Sequence, residues 1–234
     1  MSIRIRSHWS VVLTPLVFLP VAMRGGTGIR EALWEAVLIT LLIQFFAILP
    51  HEFGHVITSR LFGLRRGTLF IGGIFGGWLP DDDNGFDRLT PGRRMLLFAA
   101  GSAINLLVAV LSVIFRKASI HWHLHVSWLC SAIMEINLFM ALLNLLPIFP
   151  LDGGRIIREF FVILGLRPSQ NFTCMRLSST IFGLGWLLWI LRYGYLTDYF
   201  FWFLVMTLAI YLLLDRTWYM EGLGIIPVRR NWRR

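Results

Sequence analysis

Of the 234 residues, 56% are hydrophobic and only 15% are charged, with a mean hydropathy of +0.68. Soluble domains carry about 25% charged residues, so this excess of apolar side chains excludes a single water-facing core and points to lipid as the solvent. The net charge of +9 comes with no nucleic-acid recognition motif, and the partners it implies are a lipid bilayer and no nucleic acid.

The expected fold is an all-α polytopic membrane protein: one integral membrane domain over 1–234, with no separate soluble domain. Six apolar segments mark about six transmembrane helices, at roughly Trp9–Met23, Leu33–Leu49, Met95–Phe115, Val126–Leu146, Leu177–Tyr193 and Tyr199–Leu214. A spanning helix needs about 20 residues, so the first and fifth are short. The first follows a basic start and imitates a signal peptide. "VAMRGG" is a poor cleavage site, however, and the run carries Pro15 and Pro20, which favours a retained span or re-entrant helix.

Between the second and third segments, "TLFIGGIFGGW" reads as a short membrane-associated β-hairpin or re-entrant loop. The acidic residues Asp81, Asp82, Asp83 and Asp87 that follow read as a solvated face. Beyond the third segment, His121, His123 and His125 alternate with Trp122 as an interfacial belt. Cys130 and Cys174 match no redox or zinc spacing and read as small hydrophobes. If the N-terminus is cytoplasmic and all six segments cross, 17 of the 22 basic residues are cytoplasmic and 5 are not. The positive-inside rule then puts both termini in the cytoplasm, with a bacterial inner (cytoplasmic) membrane as the default location.

The second segment runs into "ILPHEFGHVITSR". Ionisable groups at bilayer depth are costly and usually functional. His51 and His55 stand four apart and share a helix face, so both can reach one ion, while Glu52 can reach a water beside it. This is the zinc-hydrolase pattern HExxH. Pro50 removes a backbone hydrogen bond and is expected to kink the helix, so that the histidines open a fresh half-helix. A catalytic zinc takes three protein ligands and keeps one position open. Among the few other acids, Glu135 lies on the fourth segment and Asp198 and Asp215 flank the last. Asp152 stands out because it follows Pro147 and Pro150 and precedes a Gly pair, in "NLLPIFPLDGGR". Such a break suits a polar cavity, although a capping Asp at a helix start is the plain alternative.

"HEFGH" at 51–55, "LDGGR" at 151–155 and "GSAIN" at 101–105 resemble the motifs of the site-2 protease family of intramembrane zinc metalloproteases. The likeness is to its compact six-span, sporulation-type group, and "IRIRSHW" and "LFIGGIFGG" extend it over nearly the whole chain. The resemblance implies Zn2+ held by His51, His55 and Asp152, Glu52 as catalytic acid/base, and Asn105 and Asn144 positioning a substrate backbone. It also implies the activity: a zinc-dependent endopeptidase that cleaves a transmembrane protein substrate in or near its membrane segment. Two alternatives stand beside it. One is a catalytically silent homologue that acts as a partner-binding scaffold. The other is a prenyl-protein-type membrane zincin, although neither Glu135 nor Glu159 has the Asp four residues on that its pattern asks.

Overall fold

The computed structural model describes residues 3–193 apart from positions 8–9, 24–25, 27, 65, 74–75, 81–82, 119–123 and 150. The sixth apolar segment, Asp81, Asp82, His121 and His123 therefore lie outside the described residues. The chain opens with strand β1 (Ile3–Ser7) and helices α1 (Ser10–Ala22) and α2 (Ile29–Ile43). A π-helical turn (Gln44–Ile48) leads into α3 (Leu49–Leu61). Strands β2 (Gly67–Ile71) and β3 (Gly76–Pro80) follow, then the short α4 (Asp83–Arg88). The remaining helices are α5 (Pro91–Ala118), α6 (Leu124–Leu145), α7 (Asp152–Ile163) and α8 (Pro168–Tyr193).

Among the described residues three helices are long and apolar enough to cross a membrane: Ile29–Leu61, Pro91–Ala118 and Val126–Asn144. Their side chains are arranged against water-soluble practice. Leu107, Val110, Leu111 and Ile114 of α5 are exposed, whereas Ser102 and Asn105 on the same helix are buried. Asn137 of α6 is also fully buried. Apolar groups outside and amides inside suit a lipid surround, where every polar group must be satisfied within the protein. The chain is an integral membrane protein. At 13 residues, α1 is shorter than a span. It packs on α2 through Phe18 and Ala22 against Ala32 and Ala36.

Pro50 does not start a new half-helix. Ile29–Leu61 is one helical run of 33 residues, with Pro50 at the second position of α3. The π-helical turn lies immediately before it, and there the Leu49 N–H donates to the Gln44 carbonyl, five residues back. A proline ring collides with the carbonyl four residues earlier, which here is Phe46, inside that widened turn. The extra residue in the turn absorbs the proline without ending the helix.

The strands form one sheet in the order β1-β2-β3. β2 and β3 pair antiparallel, and β1 joins β2 in parallel, from Ile3 opposite Gly67 to Ser7 opposite Ile71. The sheet packs on α3, where Leu69 and Trp78 meet Val56 in a buried cluster. α5 is the central helix, against α3, α6 and α7.

Candidate metal centre and active site

Three separate stretches meet at the site: α3 with His51, Glu52 and His55, α5 with Gly101 and Asn105, and the first residue of α7, Asp152. His51, Glu52, His55 and Asp152 are all buried. Asp152 Oδ2 lies 3.0 Å from His51 Nε2 and 3.1 Å from His55 Nε2, and the two Nε2 atoms are 3.1 Å apart. Asp152 does not cap α7. The cap position belongs to Leu151 and makes no side-chain cap bond, while the Asp152 carboxylate faces the imidazoles.

The break after α6 makes this possible. Pro147 follows the end of α6, the Leu151 N–H donates to the Ile148 carbonyl at 2.9 Å, and α7 begins at once. At Gly153 an added Cβ would stand 2.2–2.4 Å from backbone atoms of Leu145 and Leu146. Only glycine lets the start of α7 fold back this closely onto the end of α6. Gly101 serves the imidazoles in the same way, since a Cβ there would lie 2.5–2.6 Å from ring atoms of His51 and His55.

Each imidazole is oriented from behind. His51 Nδ1 is 2.6 Å from Asn105 Oδ1, and His55 Nδ1 is 2.8 Å from the Leu97 carbonyl oxygen. A carbonyl only accepts, so the hydrogen sits on Nδ1 of His55 and leaves its Nε2 with a lone pair. His51 matches it when Asn105 Oδ1 is the acceptor. The centre then holds two imidazole lone pairs and a carboxylate oxygen, all turned toward one another, an arrangement that calls for a cation. A four-coordinate zinc with N and O donors at about 2.0–2.2 Å spaces them roughly 3.3 Å apart. The separations here fall within a few tenths of an ångström of that spacing, so this donor set fits the metal.

Glu52 lies beside the donors. One of its carboxylate oxygens and a ring nitrogen of each imidazole fall within 4.8 Å of one another. Of the two nearby carboxylates, Asp152 is in direct contact with both rings and is the better third ligand. Glu52 Oε2 is buried with no hydrogen-bond partner among the described residues. β3 roofs this carboxylate: a Cβ on Gly76 would stand 2.7 Å from Glu52 Cγ and 2.8 Å from its Oε1. Glu52 Oε2 is therefore an uncommitted polar atom beside the donor set.

Asn105, expected to position a substrate, is bound within the protein. It is fully buried, and its amide nitrogen donates to the Ala47 carbonyl at 3.0 Å and to Asn137 Oδ1 at 2.8 Å. Asn144 is half-buried and donates to the Met140 carbonyl of its own helix at 3.0 Å. Sequence reasoning passed over Asn137 and Gln44. Both are amides within apolar runs, a signal in itself, because such groups must find partners inside the protein. Gln44 sits in the π-helical turn and donates to the Gly72 carbonyl at 2.8 Å and also to that of Gly73. It thereby ties the loop between β2 and β3 to the helix carrying the histidines.

Comparison with known proteins finds likenesses to zinc metalloproteases. Residues 114–185 match peptidase family M50, a stretch that takes in Asp152 and begins beyond the histidines. Over 169 residues, 70% of this chain, the sequence is 30% identical to a candidate zinc metalloprotease of Synechocystis sp., covering 40% of that protein. It is 24% identical over 148 residues, 62% of this chain, to a zinc metalloprotease of Methanocaldococcus jannaschii, again covering 40%. The chain thus spans about two fifths of the length of these curated relatives. The solved structure of a site-2 protease from M. jannaschii matches with a TM-score of 0.57 over 91% of this chain and 89% of that one, at 20% identity, a likeness of fold. In its motifs and over residues 114–185 the chain is thus similar to peptidase family M50, and in fold it is similar to a site-2 protease.

Proposed function

We propose that this protein is a zinc-dependent intramembrane endopeptidase that hydrolyses a peptide bond in or near a transmembrane segment of another membrane protein. The observation that carries the reading is the convergence of His51 Nε2, His55 Nε2 and Asp152 Oδ2 within 3.1 Å of one another. They converge inside an apolar bundle, with the unpartnered Glu52 oxygen alongside.

In this reading His51, His55 and Asp152 hold the zinc. When bound, zinc acts as a Lewis acid toward a scissile carbonyl and lowers the pKa of water. The chain's own groups do the rest. Asn105 and the Leu97 carbonyl keep the two imidazoles turned to the centre. Glu52 accepts a proton from the attacking water on its free oxygen and returns it to the leaving amine. The roof of β3 over Glu52 limits the entry of bulk water, which strengthens each electrostatic contact inside.

A helical substrate hides its carbonyls in hydrogen bonds and must unwind before attack. Among the described residues β3 is paired on one side only, by β2, and an extended substrate segment could add to its other edge. That edge begins at Gly76, against Glu52, so an added strand would pass close to the acid/base. The reading keeps both termini in the cytoplasm, with a bacterial inner membrane as its setting.

The test is to reconstitute the purified chain in liposomes with a panel of single-span membrane proteins and to assay cleavage and zinc content together. Cleavage is expected with the native chain, with Glu52→Gln zinc-loaded but inactive and Asp152→Ala depleted of zinc. A native chain that binds zinc and cleaves nothing in the panel would favour the partner-binding scaffold. Unchanged zinc in Asp152→Ala would remove the carboxylate from the centre.

A further inference from the structure

We propose that Asn137 is a positioning residue of the metal centre: acting through Asn105, it fixes which nitrogen of His51 carries the hydrogen and where the ring points. The inference rests on the metal-binding reading above.

The argument starts at a backbone carbonyl remote from the site. Asn137 Nδ2 lies 2.8 Å from the Ile133 carbonyl oxygen on the same helix. That oxygen can only accept, so the nitrogen of the Asn137 amide faces it and Oδ1 faces the other way. Oδ1 then meets Asn105 across the interface between α6 and α5, at 2.8 Å. Asn105 must therefore present its nitrogen to Asn137. A second carbonyl, that of Ala47 in the π-helical turn, sits 3.0 Å from the same nitrogen and makes the same demand. Both hydrogens of the Asn105 amide are thus committed, and its oxygen is left for His51 Nδ1 at 2.6 Å. An oxygen there requires a hydrogen on Nδ1, and the Nε2 lone pair is turned to Asp152 and His55.

Two groups, one on each side of Asn105, thus hold its amide in the one orientation that readies His51 as a ligand. Asn105 and Asn137 have no exposed surface, so water cannot substitute for either. Outer partners of metal-binding histidines are worth 10- to 100-fold in metal affinity. Asn137 acts one residue further out and shares its task with Ala47, so the low end of that range applies. The competing account is that Asn137 merely joins α5 to α6, as amides in membrane helices often do.

Metal affinity and spectrum separate the two accounts. The full chain in detergent micelles is titrated with cobalt(II), whose visible absorption reports the geometry of its ligands. The native chain is compared with Asn137→Ala, with Asn137→Leu, which refills the volume, with Asn105→Ala, and with the Asn105→Ala/Asn137→Ala pair. Circular dichroism checks that the variants keep their helices.

Either Asn137 variant is expected to lower cobalt affinity about tenfold and to alter the absorption band while the helices persist. In the Asn105→Ala background the Asn137 change is expected to add less than about twofold, because its only route to His51 is gone. Unchanged affinity and band in both Asn137 variants, or losses that simply multiply in the pair, overturn the proposal. Unfolding of both variants overturns it too, since the residue would then be holding helices together. A native chain that takes up no cobalt removes the metal reading itself, a result distinct from any of these.

Discussion

Glu52 and His51 are neighbours in the chain, yet the helix turns their side chains to different tasks. The His51 ring is held from behind by Asn105 and in front by Asp152, whereas Glu52 Oε2 touches no partner among the described residues. Glu52→Gln keeps the size of the side chain and removes its basicity. It is expected to retain zinc while lowering cleavage by about 10²- to 10⁴-fold, the usual worth of a positioned acid/base; zinc analysis beside a cleavage assay checks both halves. Gly101 carries the opposite expectation. A methyl group there would stand 2.5–2.6 Å from ring atoms of both histidines, which are themselves pinned by Asn105 and Leu97. Gly101→Ala should displace the rings and lower zinc affinity by 10-fold or more, at a stability cost of about 1–3 kcal/mol. An alanine variant with native zinc affinity would mean that the helices part easily at this point. The HExxH spacing was readable from sequence because i and i+4 share a helix face whatever surrounds them. The choice for Asp152 between cap and ligand was not, because it depends on where the chain between α6 and α7 turns.

Between α2 and α3 the helix carries a π-helical turn, and the turn has two consequences. It lets Pro50 pass without breaking the helix, and it places Gln44 where its amide reaches the carbonyls of Gly72 and Gly73. The hairpin roof over Glu52 is thereby fastened to the helix that bears Glu52. Gln44→Leu would leave those carbonyls without this donor, a loss of about 1–3 kcal/mol for buried groups. Its effect should be local: faster amide exchange across 67–80, with α5 and α6 protected as before. Uniform destabilisation would show that Gln44 supports the bundle and not the roof. Sequence gave a good account of the long helices, since runs such as Met95–Phe115 and Val126–Leu146 are unmistakable in composition and lie within α5 and largely within α6. It missed β1, although the alternation Ile3-Arg4-Ile5-Arg6 is a strand pattern; the apolar run behind it suggested a signal-like start. It also placed a new half-helix at Pro50, because the general effect of proline on a helix does not reveal that a π-helical turn will absorb it.

Among the described residues many leucines of the long helices are exposed while Asn105, Asn137 and Glu159 are buried, so in lipid the cohesion around the site draws on polar contacts as well as on apolar packing. Arg94 of α5 and Glu159 of α7 approach to 2.8 Å, with Glu159 buried, and join the helix bearing Gly101 to the helix bearing Asp152. In the proposed reading the metal centre joins the same two elements to α3, since its ligands would come from α3 and α7 and Gly101 lies directly against the rings. Zinc that binds this folded arrangement, and not the separated segments, stabilises it by mass action, by about 2.7 kcal/mol at a free concentration of 100 times Kd. Chelation should therefore lower the unfolding temperature of the native chain, and added zinc should restore it. The loosening should begin at the first turn of α7, where Asp152 loses its cation, and amide exchange there should rise before that of α5. Asp152→Ala provides the control: its unfolding temperature should be insensitive to zinc and chelator alike. A zinc-dependent shift of native size in that variant would place the stabilising ion elsewhere on the protein, and the three-ligand centre would no longer account for how α3, α5 and α7 are held together.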